Sequence, residues 1–177
     1  MRKLILGFLL LTVITHHASS QLYKGQWMAG GNLGITTYNN FMFPHNAISG
    51  TVIPDVGYFF ADKLVGGLRF DVNWGETRVS SSFVTYGFSP FLRYYILSVE
   101  NKVNFFVNTS FGWQIASLGG GFTQWTFSAG PALFLAQNFS IELALQYAAY
   151  SPDLYTEYHP RSFAINIGFQ YHFGTSR

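Results

Sequence analysis

Five charged residues have the types and spacing to form an ion-pair network: Asp55, Arg69, Asp71, Arg93 and Glu142. Arg69 and Asp71 are two positions apart, so in an extended chain they share one face. Two guanidinium groups and three carboxylates can pair. If they are buried they must pair, because an unpaired charge away from water is costly. Such a network is structural in the first instance; its functional counterpart is a narrow polar or proton path. A second group is His159, Ser162, Glu157 and Asp153. A histidine with a hydroxyl and a carboxylate has the residue types for general-base catalysis. That chemistry needs the groups within about 2.6–3.2 Å of one another. No established motif surrounds them, and a histidine beside Pro160 reads as a loop residue, so catalysis is not expected. His45 has no ligand partner at metal spacing, and His172 falls near one rim, at the end of the last alternating stretch. Cysteine is absent, which removes disulfides, thiolate nucleophiles and thiolate metal sites. No glycine-rich segment has the strand-to-helix context of a phosphate site. Neither a metal nor a cofactor is expected.

The elements that position these residues are read most clearly over 161–173, R-S-F-A-I-N-I-G-F-Q-Y-H-F. Phe163, Ile165, Ile167, Phe169, Tyr171 and Phe173 fall on one face. Ser162, Ala164, Asn166, Gly168, Gln170 and His172 fall on the other. Soluble strands usually run about 5–6 residues, whereas a tilted strand crosses a bilayer in about 9–11. Composition agrees. Aromatics make up 19 % of the 177 residues and charged residues only 10 %, where a soluble domain carries about 25 %. After the N-terminus no apolar run is long enough for a transmembrane helix, which leaves a closed barrel as the membrane-spanning solution.

The same alternation predicts strands over 25–37, 51–59, 64–74, 83–96, 103–115, 122–135 and 141–149. Together with 161–173 these make an all-β, eight-stranded, antiparallel up-and-down transmembrane barrel. The links after the second, fourth and sixth strands are short and should face the periplasm; the others are generally longer and should face outside. Trp74, Trp113 and Trp125 then lie near the outer rim, and Trp27, Tyr58, Tyr94 and Tyr171 near the periplasmic rim. These are the two aromatic girdles of a bilayer-crossing barrel. The five charges point inward. Phe91, Tyr95 and Phe106 also point inward and should obstruct any wide pore. Pro54, Pro90 and Pro131 interrupt the second, fourth and sixth strands on the lipid face. Each lacks a ladder donor, so bulges or breaks are expected there. Pro54 to Tyr58, Pro90 to Tyr94 and Pro131 to Leu135 repeat one spacing, as a hairpin-level repeat with curving bulges would.

Residues 1–20 read as a secretory signal peptide. Arg2 and Lys3 begin it, an apolar run over 4–14 follows, and Ala18, Ser19 and Ser20 suit cleavage before Gln21. Residues 21–177 are then the barrel domain. Removing Arg2 and Lys3 cancels the formal charge of +2, so no basic field for nucleic acid remains.

The stretch P-D-V-G-Y-F-F-A-D-K-L-V-G-G-L-R-F at 54–70 resembles a Bacteroidetes-type barrel hairpin. The chain as a whole resembles the small eight-stranded outer-membrane barrels, the broad group of OmpX-like proteins and the OmpA transmembrane domain. The resemblance implies the outer membrane of a Gram-negative-type bacterium. It implies as partners outer-membrane lipid, lipopolysaccharide and, during biogenesis, the barrel-insertion machinery. Such chains often end on an aromatic residue; here Phe173 is followed by Gly174, Thr175, Ser176 and Arg177. Some of these barrels modify lipid A with a histidine, a serine and a carboxylate, for which His159, Ser162 and Glu157 would be the counterparts. The expected role is structural or surface-interacting, and a narrow ion or small-solute channel and a lipid A-modifying enzyme are the alternatives. Aromatic-rich outer loops (Tyr38, Phe41, Phe43, Tyr155, Tyr158) could bind a surface ligand. A soluble lipocalin-like barrel would require the alternation turned inside out, with an apolar interior.

Overall fold

The computed structural model describes residues 22–38, 47–75, 83–117, 120–152 and 161–174. They form eight strands: β1 Trp27–Tyr38, β2 Ala47–Ala61, β3 Leu64–Gly75, β4 Phe83–Tyr95, β5 Val103–Ala116, β6 Gly121–Ala136, β7 Phe139–Pro152 and β8 Arg161–Phe173. Each pairs antiparallel with the next, and β8 returns to pair with β1, so the sheet closes without an edge. The described residues contain no helix. Closure leaves no row of unpaired backbone groups, which a bilayer would not tolerate.

The side chains divide as the alternation predicts. Along β8, Phe163, Ile165, Ile167 and Phe169 are 60, 62, 50 and 42 % exposed, while Ala164, Asn166 and Gln170 are at most 4 % exposed. The exterior is apolar and much of the interior polar, whereas a soluble ligand-binding barrel sets an apolar interior behind a polar exterior. A continuous apolar exterior of this kind is excluded from water and matches hydrocarbon.

Two strands run further than the pattern predicts by more than one residue at an end. β2 begins at Ala47 rather than 51, and β7 covers Phe139–Pro152 rather than 141–149. Gly50 looks like a strand breaker in the sequence. In the fold it lies opposite Trp74, whose indole covers the space a Cβ would take. The aromatic ring supplies the packing that glycine lacks. The alternation of short and long links also holds less strictly than predicted. β2–β3 turns on Asp62 and Lys63, and β6–β7 on Gln137 and Asn138, but β4–β5 is joined by residues 96–102, a longer link than 117–120 between β5 and β6.

The prolines correct the expectation of bulges. The β2–β3 register runs through Val52↔Val72 and resumes at Asp55↔Arg69 without a shift. The β4–β5 ladder skips Ser89 and Pro90, and the β6–β7 ladder skips Gly130 and Pro131, again without a shift. Each proline keeps its pairing on the other side, with Gly31, Leu68 and Phe105 respectively. Successive backbone N–H groups point to alternate neighbours. Ile96 N donates to Phe105 O of β5, so in the same phase the nitrogen of Pro90 faces β5. The missing donor therefore breaks one ladder locally and leaves the other intact. Register shifts occur elsewhere, at Phe59/Ala61 and Phe134/Ala136, beside the tight turns.

Candidate functional site

The inward faces bring four of the five predicted charges together. Arg93 of β4 reaches across the lumen to Glu142 of β7, its Nη1 lying 3.1 Å from both carboxylate oxygens. Tyr95 donates its hydroxyl to Glu142 Oε1 at 3.1 Å. Asp55 Oδ2 stands between two guanidinium groups, 3.8 Å from Arg93 Nη2 and 3.9 Å from Arg69 Nη2. Gln170 of β8 donates to the same oxygen at 3.4 Å. Arg69 also donates to Asn108 Oδ1 at 3.2 Å, and Asn108 donates to Ser128 Oγ at 3.3 Å. Met28 Sδ of β1 lies 3.6 Å from Arg93 Nη1. Every strand thus contributes a side chain to one cross-braced cluster. The guanidinium planes add cation–π contacts, Arg93 over Phe106 at 4.8 Å and Arg69 over Phe91 at 4.8 Å.

Asp71 stands apart from this cluster. It forms no ion pair with the described residues and accepts a hydrogen bond from Ser89 Oγ at 3.3 Å. Sharing a wall with Arg69 does not bring the two side chains together, because Arg69 turns toward Asp55 and Asn108 instead.

Toward the tight turns the lumen is filled with apolar groups. Met28, Phe59, Val65, Tyr95, Phe106 and Phe134 are buried in one cluster. His172 packs among the rings, 5.8 Å from Phe59, 6.2 Å from Tyr95 and 5.6 Å from Phe134 between centroids. The turn end is closed by the chain's own residues 22–26. Leu22 enters the apolar cluster, and its carbonyl accepts from Lys63 N at 2.8 Å. Gly25, at φ 94°, bends the segment so that its N–H reaches Phe59 O at 2.8 Å. Lys24 N donates to Asp62 Oδ1 at 2.8 Å. This strap has no signature in the sequence; only the alternation that turns Phe59 and Phe134 inward near the turns points to a plug.

Asn104 is another residue that sequence reasoning passes over. Buried at the start of β5, it organises the 96–102 link. Its Oδ1 accepts from Leu97 N at 2.9 Å and Phe105 N at 2.8 Å, and its Nδ2 donates to the carbonyls of Leu97 and Ser98.

The aromatic residues assigned to the girdles are exposed on the outer wall. Trp27 and Tyr58 lie opposite each other at the turn end, 5.1 Å between ring centroids, with Tyr94 and Tyr171 at the same end. Trp113 and Trp125 flank Phe111 at the loop end, and Trp74 shares that end. Of the catalytic candidates, His159, Glu157 and Asp153 lie outside the described residues, as do His45 and the aromatic loop residues Phe41, Phe43, Tyr155 and Tyr158. Ser162 is described: it is buried, and its Oγ is hydrogen-bonded to the Tyr150 hydroxyl at 2.8 Å.

No protein-family model and no curated protein matches the sequence. Solved structures match the fold. The chain is similar to Neisserial surface protein A (NspA), with a TM-score of 0.65 and 11 % identity over 85 % of this chain and 100 % of that one. It is similar to the outer membrane enzyme PagL, with a TM-score of 0.57 and 10 % identity over 81 % and 98 % of the two chains. It is similar to the outer membrane protein OprG from Pseudomonas aeruginosa, with a TM-score of 0.56 and 10 % identity over 89 % and 99 %. Identities at this level establish a shared fold and nothing finer.

Proposed function

We propose that the protein is a small integral outer-membrane barrel with a structural or surface-interaction role, and that its lumen does not pass solutes. The observation that carries this reading is the filled interior. Arg93, Glu142, Asp55 and Arg69 span the lumen, and the apolar cluster with Leu22 closes the turn end. A channel needs a continuous polar path. Here the polar half ends on buried Tyr95, Phe106 and Phe134. Barrels of eight strands have interiors that side chains can fill or that hold at most one small ligand, and here the side chains fill it.

Residues 1–20 act as the export leader in this reading, and the apolar exterior then partitions into the outer membrane. Lipid, lipopolysaccharide and the barrel-insertion machinery are the partners, and the outer loops provide the surface for any further ligand. One structural neighbour is an enzyme, but its 10 % identity is no higher than that of the other two neighbours. Ser162, the described member of the candidate catalytic set, is engaged with Tyr150.

The test is single-channel recording in planar bilayers. The purified protein should give no conductance steps above the lipid background, and neither should its Arg93→Ala variant, because the apolar plug remains. Stable steps from the unaltered protein would overturn the sealed-lumen reading in favour of a narrow channel.

A further inference from the structure

The seam where the chain's first and last strands meet carries a size code. At three successive inward positions β1 and β8 oppose a glycine to an amide: Gly30↔Gln170, Asn32↔Gly168 and Gly34↔Asn166. The large member alternates between the strands. Each amide lies in the space its glycine leaves open. A Cβ on Gly30 would stand 2.9 Å from Gln170 Cδ, one on Gly34 2.8 Å from Asn166 Cγ, and one on Gly168 3.4 Å from Asn32 Cγ. All three amides are buried. The alternation continues across β8 onto β7, where Ser140, Glu142 and Ala144 oppose Gln170, Gly168 and Asn166. Small and large side chains thus form a checkerboard around the seam.

We infer that this checkerboard selects the register in which the barrel closes. The seam joins the two ends of the chain, so no turn sets its register, as one does in a hairpin. A slip of one residue would expose the polar face to lipid and is excluded by the alternation itself. A slip of two residues keeps every side chain on its proper face, and apolarity does not penalise it. Size does. Either two-residue slip sets Asn32 against another amide, Asn166 or Gln170, and leaves glycine facing glycine. One arrangement crowds two buried amides into one site and the other opens a void, and both are costly in a filled interior. Only the native register places every amide over a glycine.

The test uses cysteine pairs in a chain that has no cysteine of its own. Leu33 and Ile167 lie opposite each other across the seam. The Leu33→Cys/Ile167→Cys protein should crosslink on oxidation, and Leu33→Cys/Ile165→Cys, which reports a two-residue slip, should not. Adding Gly168→Asn to the first pair should abolish its crosslink and the faster migration on a gel, before boiling, that is expected of a closed barrel. Adding Asn32→Ala as well moves the small residue to the other strand and should restore both. A Gly168→Asn protein that still crosslinks at 33 and 167 overturns the inference, and so does a failure of Asn32→Ala to rescue.

Discussion

Arg93 meets Glu142 across the lumen with two 3.1 Å contacts, while Asp55 serves both arginines from 3.8–3.9 Å. The short contact and the long ones should respond differently to substitution. Taking two charges out of water costs several kcal/mol per ion, and the pair roughly offsets that cost only while both members are present. Glu142→Ala leaves Arg93 buried without its strongest partner and also removes the oxygen that accepts from the Tyr95 hydroxyl, leaving it Met28 Sδ at 3.7 Å. We expect it to lower unfolding stability by about 3–5 kcal/mol, read as a shift in the urea midpoint of the protein in lipid vesicles. The double substitution Arg93→Met/Glu142→Leu removes both charges and should recover most of that loss. An unchanged midpoint in Glu142→Ala would mean that the network is solvated and contributes little.

Strands, rather than residues, carry the answer to the proline question. Pro54, Pro90 and Pro131 occupy equivalent places in β2, β4 and β6, and each interrupts one ladder without moving its register. A proline nitrogen without hydrogen faces a single neighbour, so the sheet loses one bond and no alignment. Pro90→Ala should then restore one backbone hydrogen bond to β5, a gain of about 0.5–1.5 kcal/mol. Against it stands the greater freedom of the unfolded chain, about 0.4–1 kcal/mol. The two nearly cancel, so the same vesicle unfolding midpoint should move by less than about 1 kcal/mol. A loss of several kcal/mol would show that the proline itself shapes the wall. Gly50 belongs to the same scale. Its identity argues for a break, and only the cross-strand position of Trp74 makes it a strand residue.

The molecule as a whole is a closed wall, apolar outside, braced by charge in the middle and plugged at the turn end by residues 22–26 and the apolar cluster. Such a barrel should fractionate with outer membranes and run faster on a gel unboiled than boiled, since closure resists detergent until heat opens it. Recovery as a soluble periplasmic protein with no shift would contradict the membrane placement. Much of this architecture was legible in the sequence. Alternation is a local property with a period of two, repeated eight times, and it assigns each side chain to lumen or lipid before any partner is known. Strand number, the inward placement of Asp55, Arg69, Asp71, Arg93 and Glu142, and the outward aromatics all follow from it. Tertiary structure decided which inward groups touch. Arg93 pairs with Glu142, on strands that are not neighbours in the sheet, while Asp71 stays with Ser89; Leu22 folds back into the apolar cluster, and Asn104 holds a turn. Contacts across a lumen depend on the stagger of the closed sheet and on the reach of each side chain, and neither is a property of any one stretch of chain.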